Sequence, residues 1–201
     1  MCVGKQIRVF YIGGIDMNNK NQLSIKSIVA IGIGAALFFV LGRFVAIPSP
    51  VPNTTINIQY GILGVFSIIY GPVVGVLTGF IGHTLIDLSW GSPWWSWIIA
   101  SGVFGLVAGL AKKNVNIESG NFGGKQIAAF NIFQVLGHVA AWVVVAPVLD
   151  ILIYNEPVEK LFAQGAFAAV SNSISTAIVG TIILVAYAKT RTKEGSLNKE
   201  N

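Results

Sequence analysis

Six apolar runs occupy most of this chain, and they leave few folds open. They lie at about Ile25–Ala46, Ile56–Tyr70, Val73–Ser89, Trp94–Ala111, Gln126–Leu149 and Lys160–Ala188. A helix that crosses a bilayer needs about 20 apolar residues; the second run is shorter than that and several of the others are near it. Composition agrees, with 54% hydrophobic residues, 10% charged residues and a mean hydropathy of +0.72. Soluble domains carry about 25% charged residues. The expected fold is an all-α integral membrane protein, six transmembrane helices in a compact bundle over residues 24–189, with polar tails at 1–23 and 190–201.

The charge distribution gives the expected topology. Lys5, Arg8, Lys20 and Lys26 precede the first run; Lys112, Lys113 and Lys125 flank the connection after the fourth; Lys189, Arg191, Lys193 and Lys199 follow the sixth. Eleven of the 13 basic residues therefore fall on one face, and only Arg43 and Lys160 fall opposite. Basic loops stay in the cytoplasm, so both termini are expected there. The same clustering argues against nucleic acid as a partner, despite the net charge of +5: the basic residues sit in tails and one loop, not on an aromatic-interleaved patch. Residues 1–23 lack the apolar core of a signal peptide. The start is either Met1 or Met17; Met17, followed by NNKNQLSIKS, suits a short cytoplasmic lead-in, which would make residues 1–16 an upstream misread or an extension.

The expected outer face holds three loops: the proline-rich IPSPVPNTT after the first run, the break at Gly91-Ser92-Pro93, and an acidic turn. Three alternating prolines forbid a regular helix there and make a stiff lid or wall. The stretch GFIGHTLIDLSWGSPWWSW carries His83 and, one helical turn on, Asp87, then Trp94, Trp95 and Trp97. Ionisable residues within a span tend to face a bundle interior or a wet cavity. His83 and Asp87 could also pair with each other or with Arg43. The tryptophans could form an interfacial belt or a platform for a flat ring. In the fifth run Asn131, Gln134 and His138 share a helix face that Trp142 continues. In the sixth, Gln164, Ser171, Asn172, Ser175 and Thr176 form a second polar stripe. Such stripes either wall a pocket or hydrogen-bond between helices. Asp150, Glu156 and Glu159 read as a solvated turn.

Enzyme chemistry finds little support. There is no HExxH, no GxSxG and no carboxylate pair at depth, and Cys2 is the single cysteine. His83, His138 and Asp87 are too few for a metal site, so neither a metal nor a cofactor is expected. GNFGGKQ lacks the first glycine of a phosphate loop and has Gln126 where Ser or Thr belongs. No gating-charge helix or selectivity-filter pattern favours a channel. A bundle with an outward pocket and a helix face of small residues suits a binding subunit that docks on a separate motor. The alternatives are a stand-alone secondary carrier or channel, and a ligand-free membrane scaffold.

VAIGIGAALFFVLGRF with IPSPVPNT, then YGPVVGVLTGFIGH, then GSPWWSWIIASGVFGL, resemble the substrate-binding (S) components of energy-coupling factor (ECF) transporters, within the ECF-type riboflavin transporter S component family. The resemblance covers about Leu23–Lys189. It implies a multi-pass protein of the bacterial cell membrane. Such a protein captures a vitamin or vitamin precursor from outside and topples in the bilayer to release it. It works with a transmembrane T component and two ABC-type ATPase subunits. An AxxxA motif on the first helix contacts the T component; the matching positions here are Ala30/Gly34 or Gly32/Ala36. The ligand is held by the first outer loop and helices 4 to 6, which maps onto Asn53 and Thr54, the stretch Trp94 to Trp97, and the outer halves of the fifth and sixth runs. The full expected substrate-binding set takes Asn53, Thr54, Trp94 and Trp95 from these and adds Arg43, His83, Asp87, Gln134, His138 and Asn172.

Overall fold

The computed structural model describes residues 23–191. The expectations about Met17 and both tails beyond these limits lie outside the described residues. The chain begins with α1 (Ile25–Phe44), whose first turn is capped by Ser24: its hydroxyl accepts from the Ser27 N–H at 3.1 Å. The proline-rich loop follows as a minute antiparallel ladder, β1 (Ile47–Pro48) and β2 (Thr55–Ile56), with Ile47 opposite Ile56. Then come α2 (Gln59–Tyr70), α3 (Pro72–Trp90), α4 (Trp95–Leu110), the single turn α5 (Lys112–Val115), α6 (Gly124–His138), α7 (Ala146–Tyr154) and α8 (Val158–Lys189). A π-helical segment, Val139–Val145, joins α6 to α7 without a break.

Five of these stretches are long and apolar enough to cross a membrane. The sixth, α2, has only 12 residues and would rise about 18 Å at 1.5 Å per residue. It survives because it lies at the centre of the bundle. Nine of its residues are buried, including Tyr60, Leu63 and Ile68, so protein rather than lipid surrounds it. The outer surface is apolar instead: Ile28, Ile33 and Leu37 on α1 and Ile174, Ile178 and Ile182 on α8 are all exposed.

Small residues set the helix spacing. Gly71, at φ 103°, permits the one-residue turn from α2 into α3, and Pro72 at the first position of α3 sacrifices no helical hydrogen bond. Further along, a Cβ on Gly105 would stand 2.3 Å from the Gly75 carbonyl oxygen, so α3 and α4 meet backbone to backbone. The π segment has a visible cause. Pro147 lies inside the continuous helix and has no N–H to donate, and its ring crowds the preceding turn. The widened turn accommodates it, with the Ala146 N–H donating to Ala141 O five residues back.

The two ends of the bundle differ in chemistry. At one end Lys26 sits over the Tyr70 ring, and Arg191 pairs with Glu118 at 2.7 Å beside Gly120. At the other end the proline-rich loop, the α3–α4 connection and the α7–α8 connection come together.

Candidate functional site

That second end encloses two adjoining cavities of about 520 and 580 Å³ that share Asn53, His83, Asp87 and Trp97 in their walls. Volumes of this order suit a small organic molecule. The proline-rich loop forms one wall and is tied down at both levels. Thr54 Oγ1 donates to Val51 O, and Gln164 Nε2 of α8 donates to Pro52 O at 2.7 Å. Asn53, at φ 56°, makes the turn.

A continuous polar chain runs through the wall. Tyr60 Oη lies 3.1 Å from Ser101 Oγ, which lies 2.6 Å from His83 Nδ1. His83 Nε2 is 3.5 Å from Asp87 Oδ1. The other Asp87 oxygen accepts from the Trp94 N–H at 2.8 Å. The Trp94 indole in turn donates to Asp150 Oδ1 at 2.6 Å, Trp97 Nε1 donates to Asp150 Oδ2 at 2.8 Å, and Ser96 Oγ makes a third, very short bond to the same carboxylate. Asp150 is 1% exposed. It is not in a solvated turn: α7 continues through Tyr154, and only Asn155–Pro157 connect it to α8. Three donors, Trp94 just before α4 and Ser96 and Trp97 in its first turn, satisfy a carboxylate that hydrocarbon would otherwise penalise.

Of the expected substrate-binding residues, Asn53, Thr54, His83, Asp87, Trp94 and Asn172 line one cavity or both. Four do not. Arg43 stacks its guanidinium 3.8 Å from the centre of the Trp90 ring, and His83 and Asp87 pair with each other rather than with it. Trp95 turns to Phe80. Gln134 and His138 lie within the α6–α8 seam. Gln134 Nε2 donates to Ser173 O, and His138 Nε2 reaches Thr176 Oγ1 at 3.1 Å. The Trp142 indole Nε1–H donates to His138 Nδ1 at 2.9 Å, so Nε2 carries the ring proton. His138 also stacks on Phe104 at 4.1 Å. The polar face on the fifth run is thus mostly interhelical glue. The upper part of the α8 stripe, Gln164 and Asn172, does reach the cavities.

Sequence reasoning left Gln59, Tyr60, Trp142 and Asp150 unassigned to the ligand, although they too are in the walls; Trp97, within the stretch Trp94 to Trp97 that the resemblance indicates but not singled out in the substrate-binding set, lines both cavities. One signal for Trp97 was present: Trp94 and Trp97 are three apart and share a helical face that Trp95 does not. No comparable signal marks Asp150, whose partners are more than 50 residues away.

The small-residue pairs on α1 also separate. Ala30 and Gly34 are buried, and a Cβ on Gly34 would stand 2.9 Å from Phe66 and Thr78 side chains. Gly32 and Ala36 are exposed, with nothing within 4 Å of a Cβ built on Gly32.

Comparison with known proteins gives these features a context. The family described as "ECF-type riboflavin transporter, S component" matches residues 22–189. A UPF0397 protein of Streptococcus gordonii is 53% identical over 178 residues, covering 88% of this chain and 95% of that one. UPF0397 proteins of Enterococcus faecalis and Lactobacillus johnsonii are 50% and 52% identical, over 90% and 92% of this chain and all of theirs. A match to an S-component family over nearly all of the described chain marks a substrate-binding membrane subunit of a transporter, and the membrane-length helices with an apolar exterior agree with that. The chain is a multi-pass bacterial membrane protein and belongs to the ECF-type riboflavin transporter S component family.

Proposed function

We propose that this chain captures a vitamin or vitamin precursor at the outer face of the membrane for an ATP-driven importer. Riboflavin is the member of that class which the family description names. The observation that carries the reading is the position of the cavities: they occupy the end of the bundle opposite Lys26, Glu118 and Arg191. With the basic end in the cytoplasm, the cavities open outward and both termini lie inside. Binding draws on Asn53, Thr54, His83, Asp87, Trp94 and Asn172.

The chain carries no motor of its own in this reading. It works with a T component and two ABC-type ATPases, and it meets the T component through the exposed Gly32/Ala36 face of α1. Ala30 and Gly34 hold α1 against α2 and α3. Reconstitution into liposomes tests the proposal. Uptake of a retained small molecule is expected only when all four subunits and ATP are present. Accumulation by this chain alone, driven by an ion gradient, would overturn it in favour of a secondary carrier.

A further inference from the structure

The cavity walls are chemically one-sided. Asp87 and Asp150 face no Lys or Arg within ion-pair distance among the described residues. Lys160 lines one cavity, but its ammonium is 2.9 Å from Glu156, so that pair cancels. Asp150 is satisfied entirely by neutral donors, two indoles and a hydroxyl. Asp87 takes one backbone N–H and stands beside His83. A buried carboxylate without a counter-charge is costly, and neutral hydrogen bonds offset only part of that cost.

Two further observations point the same way. Both indoles that hold Asp150 also line the cavity, and Trp97 is tilted against Trp142 with ring centres 5.2 Å apart. An indole whose N–H donates to an anion becomes richer in π-electrons, which strengthens its attraction for a cation at the ring face. Gln59 and Asn172, 4% and 3% exposed, are also in the wall; each has a buried carbonyl oxygen without a hydrogen-bond partner among the described residues. Carboxylates, electron-rich rings and free acceptors all favour a ligand that donates hydrogen bonds and carries positive charge.

We propose that the solute is an organic cation, a protonated amine or a cationic nitrogen heterocycle, held by Asp87 and the indole faces of Trp94 and Trp97. Asp150 is a positioning residue. Both of its oxygens are already occupied, so it orients the two indoles and contributes its field. That occupancy, and a cavity of about 520 Å³ walled by rings, suit an organic molecule better than a metal ion. This inference rests on the reading of the chain as a solute-binding subunit, and it departs from riboflavin, whose ring system is uncharged.

The test uses the purified full-length chain in lipid nanodiscs and the protein-free small-molecule fraction of a bacterium that encodes it. Ion exchange divides that fraction into cationic, neutral and anionic pools, and each pool is scored by the rise in thermal unfolding midpoint. The cationic pool is expected to stabilise the protein, and the released solute to carry a positive nitrogen by mass spectrometry. Asp87→Asn is expected to need at least tenfold more of that pool for the same rise, and Asp87→Glu to recover most of the response. Stabilisation by the neutral or anionic pool would overturn the charge assignment and leave the binding-subunit reading intact. No stabilisation by any pool would overturn both. If Asp87→Asn fails to fold, the pool comparison on the unaltered chain decides the outcome.

Discussion

The indole N–H of Trp94 donates to the buried Asp150 carboxylate at 2.6 Å, and the backbone N–H of the same tryptophan donates to Asp87. One residue after a Gly-Ser-Pro break therefore ties the end of α3 to α7. Asp150→Ala would leave three donors without their acceptor, the buried Ser96 hydroxyl among them. Orphaning a buried polar group costs about 1–3 kcal/mol, so a marked drop in the thermal midpoint is expected in detergent. Asp150→Asn keeps one acceptor oxygen and should fall between. Unaltered near-ultraviolet circular dichroism and an unaltered midpoint in Asp150→Ala would show that this carboxylate does not organise the site.

Trp97 and Trp95 should separate cleanly. Trp97 lines both cavities, whereas Trp95 packs on Phe80. Trp97→Ala is expected to weaken solute binding at least tenfold, about 1.4 kcal/mol, and Trp95→Ala to change it less than twofold. Titration calorimetry with the solute that co-purifies checks this. Equal losses would place the cavity wall elsewhere.

His138 should act on stability first. Its two ring nitrogens bridge Trp142 and Thr176, and its ring stacks on Phe104. His138→Ala removes a buried ring and both bonds, at a cost of about 2–5 kcal/mol by analogy with large-to-small core changes. Chemical unfolding in mixed micelles should show that loss. A variant that unfolds like the parent but binds tenfold more weakly would return His138 to the binding set.

On α1 the two glycines should give opposite results. A bulky side chain on Gly34 meets Phe66 and Thr78 at 2.9 Å and should destabilise the isolated subunit, with overpacking typically costing about 1–3 kcal/mol. Gly32→Trp meets open space. It should leave the isolated subunit intact while abolishing co-purification with a T component. Assembly unaffected by Gly32→Trp would remove this face from the docking surface.

Close helix contact offers a further check. Gly105→Val should prevent a folded, monodisperse protein from being recovered, because its Cβ would stand 2.3 Å from the Gly75 carbonyl oxygen and backbone cannot yield as a side chain can. A Gly105→Val protein with parental size-exclusion behaviour would show that α3 and α4 are less tightly apposed.

The bundle was legible because membrane burial is decided locally. Residues 25–44 are predominantly apolar whatever they pack against, and Gly91-Ser92-Pro93 combines three residues that disfavour helix, which marks a break between two runs. His83 and Asp87, four apart on one helix, were readable as a pair for the same reason. Even the short second run was visible, although only its central, protein-enclosed position explains how 12 residues suffice.

By itself, then, the sequence determined the apolar helices, the proline-rich wall and the gathering of basic residues at the chain's loops and ends, all properties of run length and composition. Tertiary structure alone decided rotation about each helix axis. It turned Ala30 and Gly34 inward and left Gly32 and Ala36 outside; it put His138 in a seam and Trp97 in a wall. The π segment before Pro147 breaks the 3.6-residue period along α6 and α7, so no regular extrapolation places Asp150. Its burial depends on donors from α4, more than 50 residues earlier, and a carboxylate is solvated or structural according to what surrounds it.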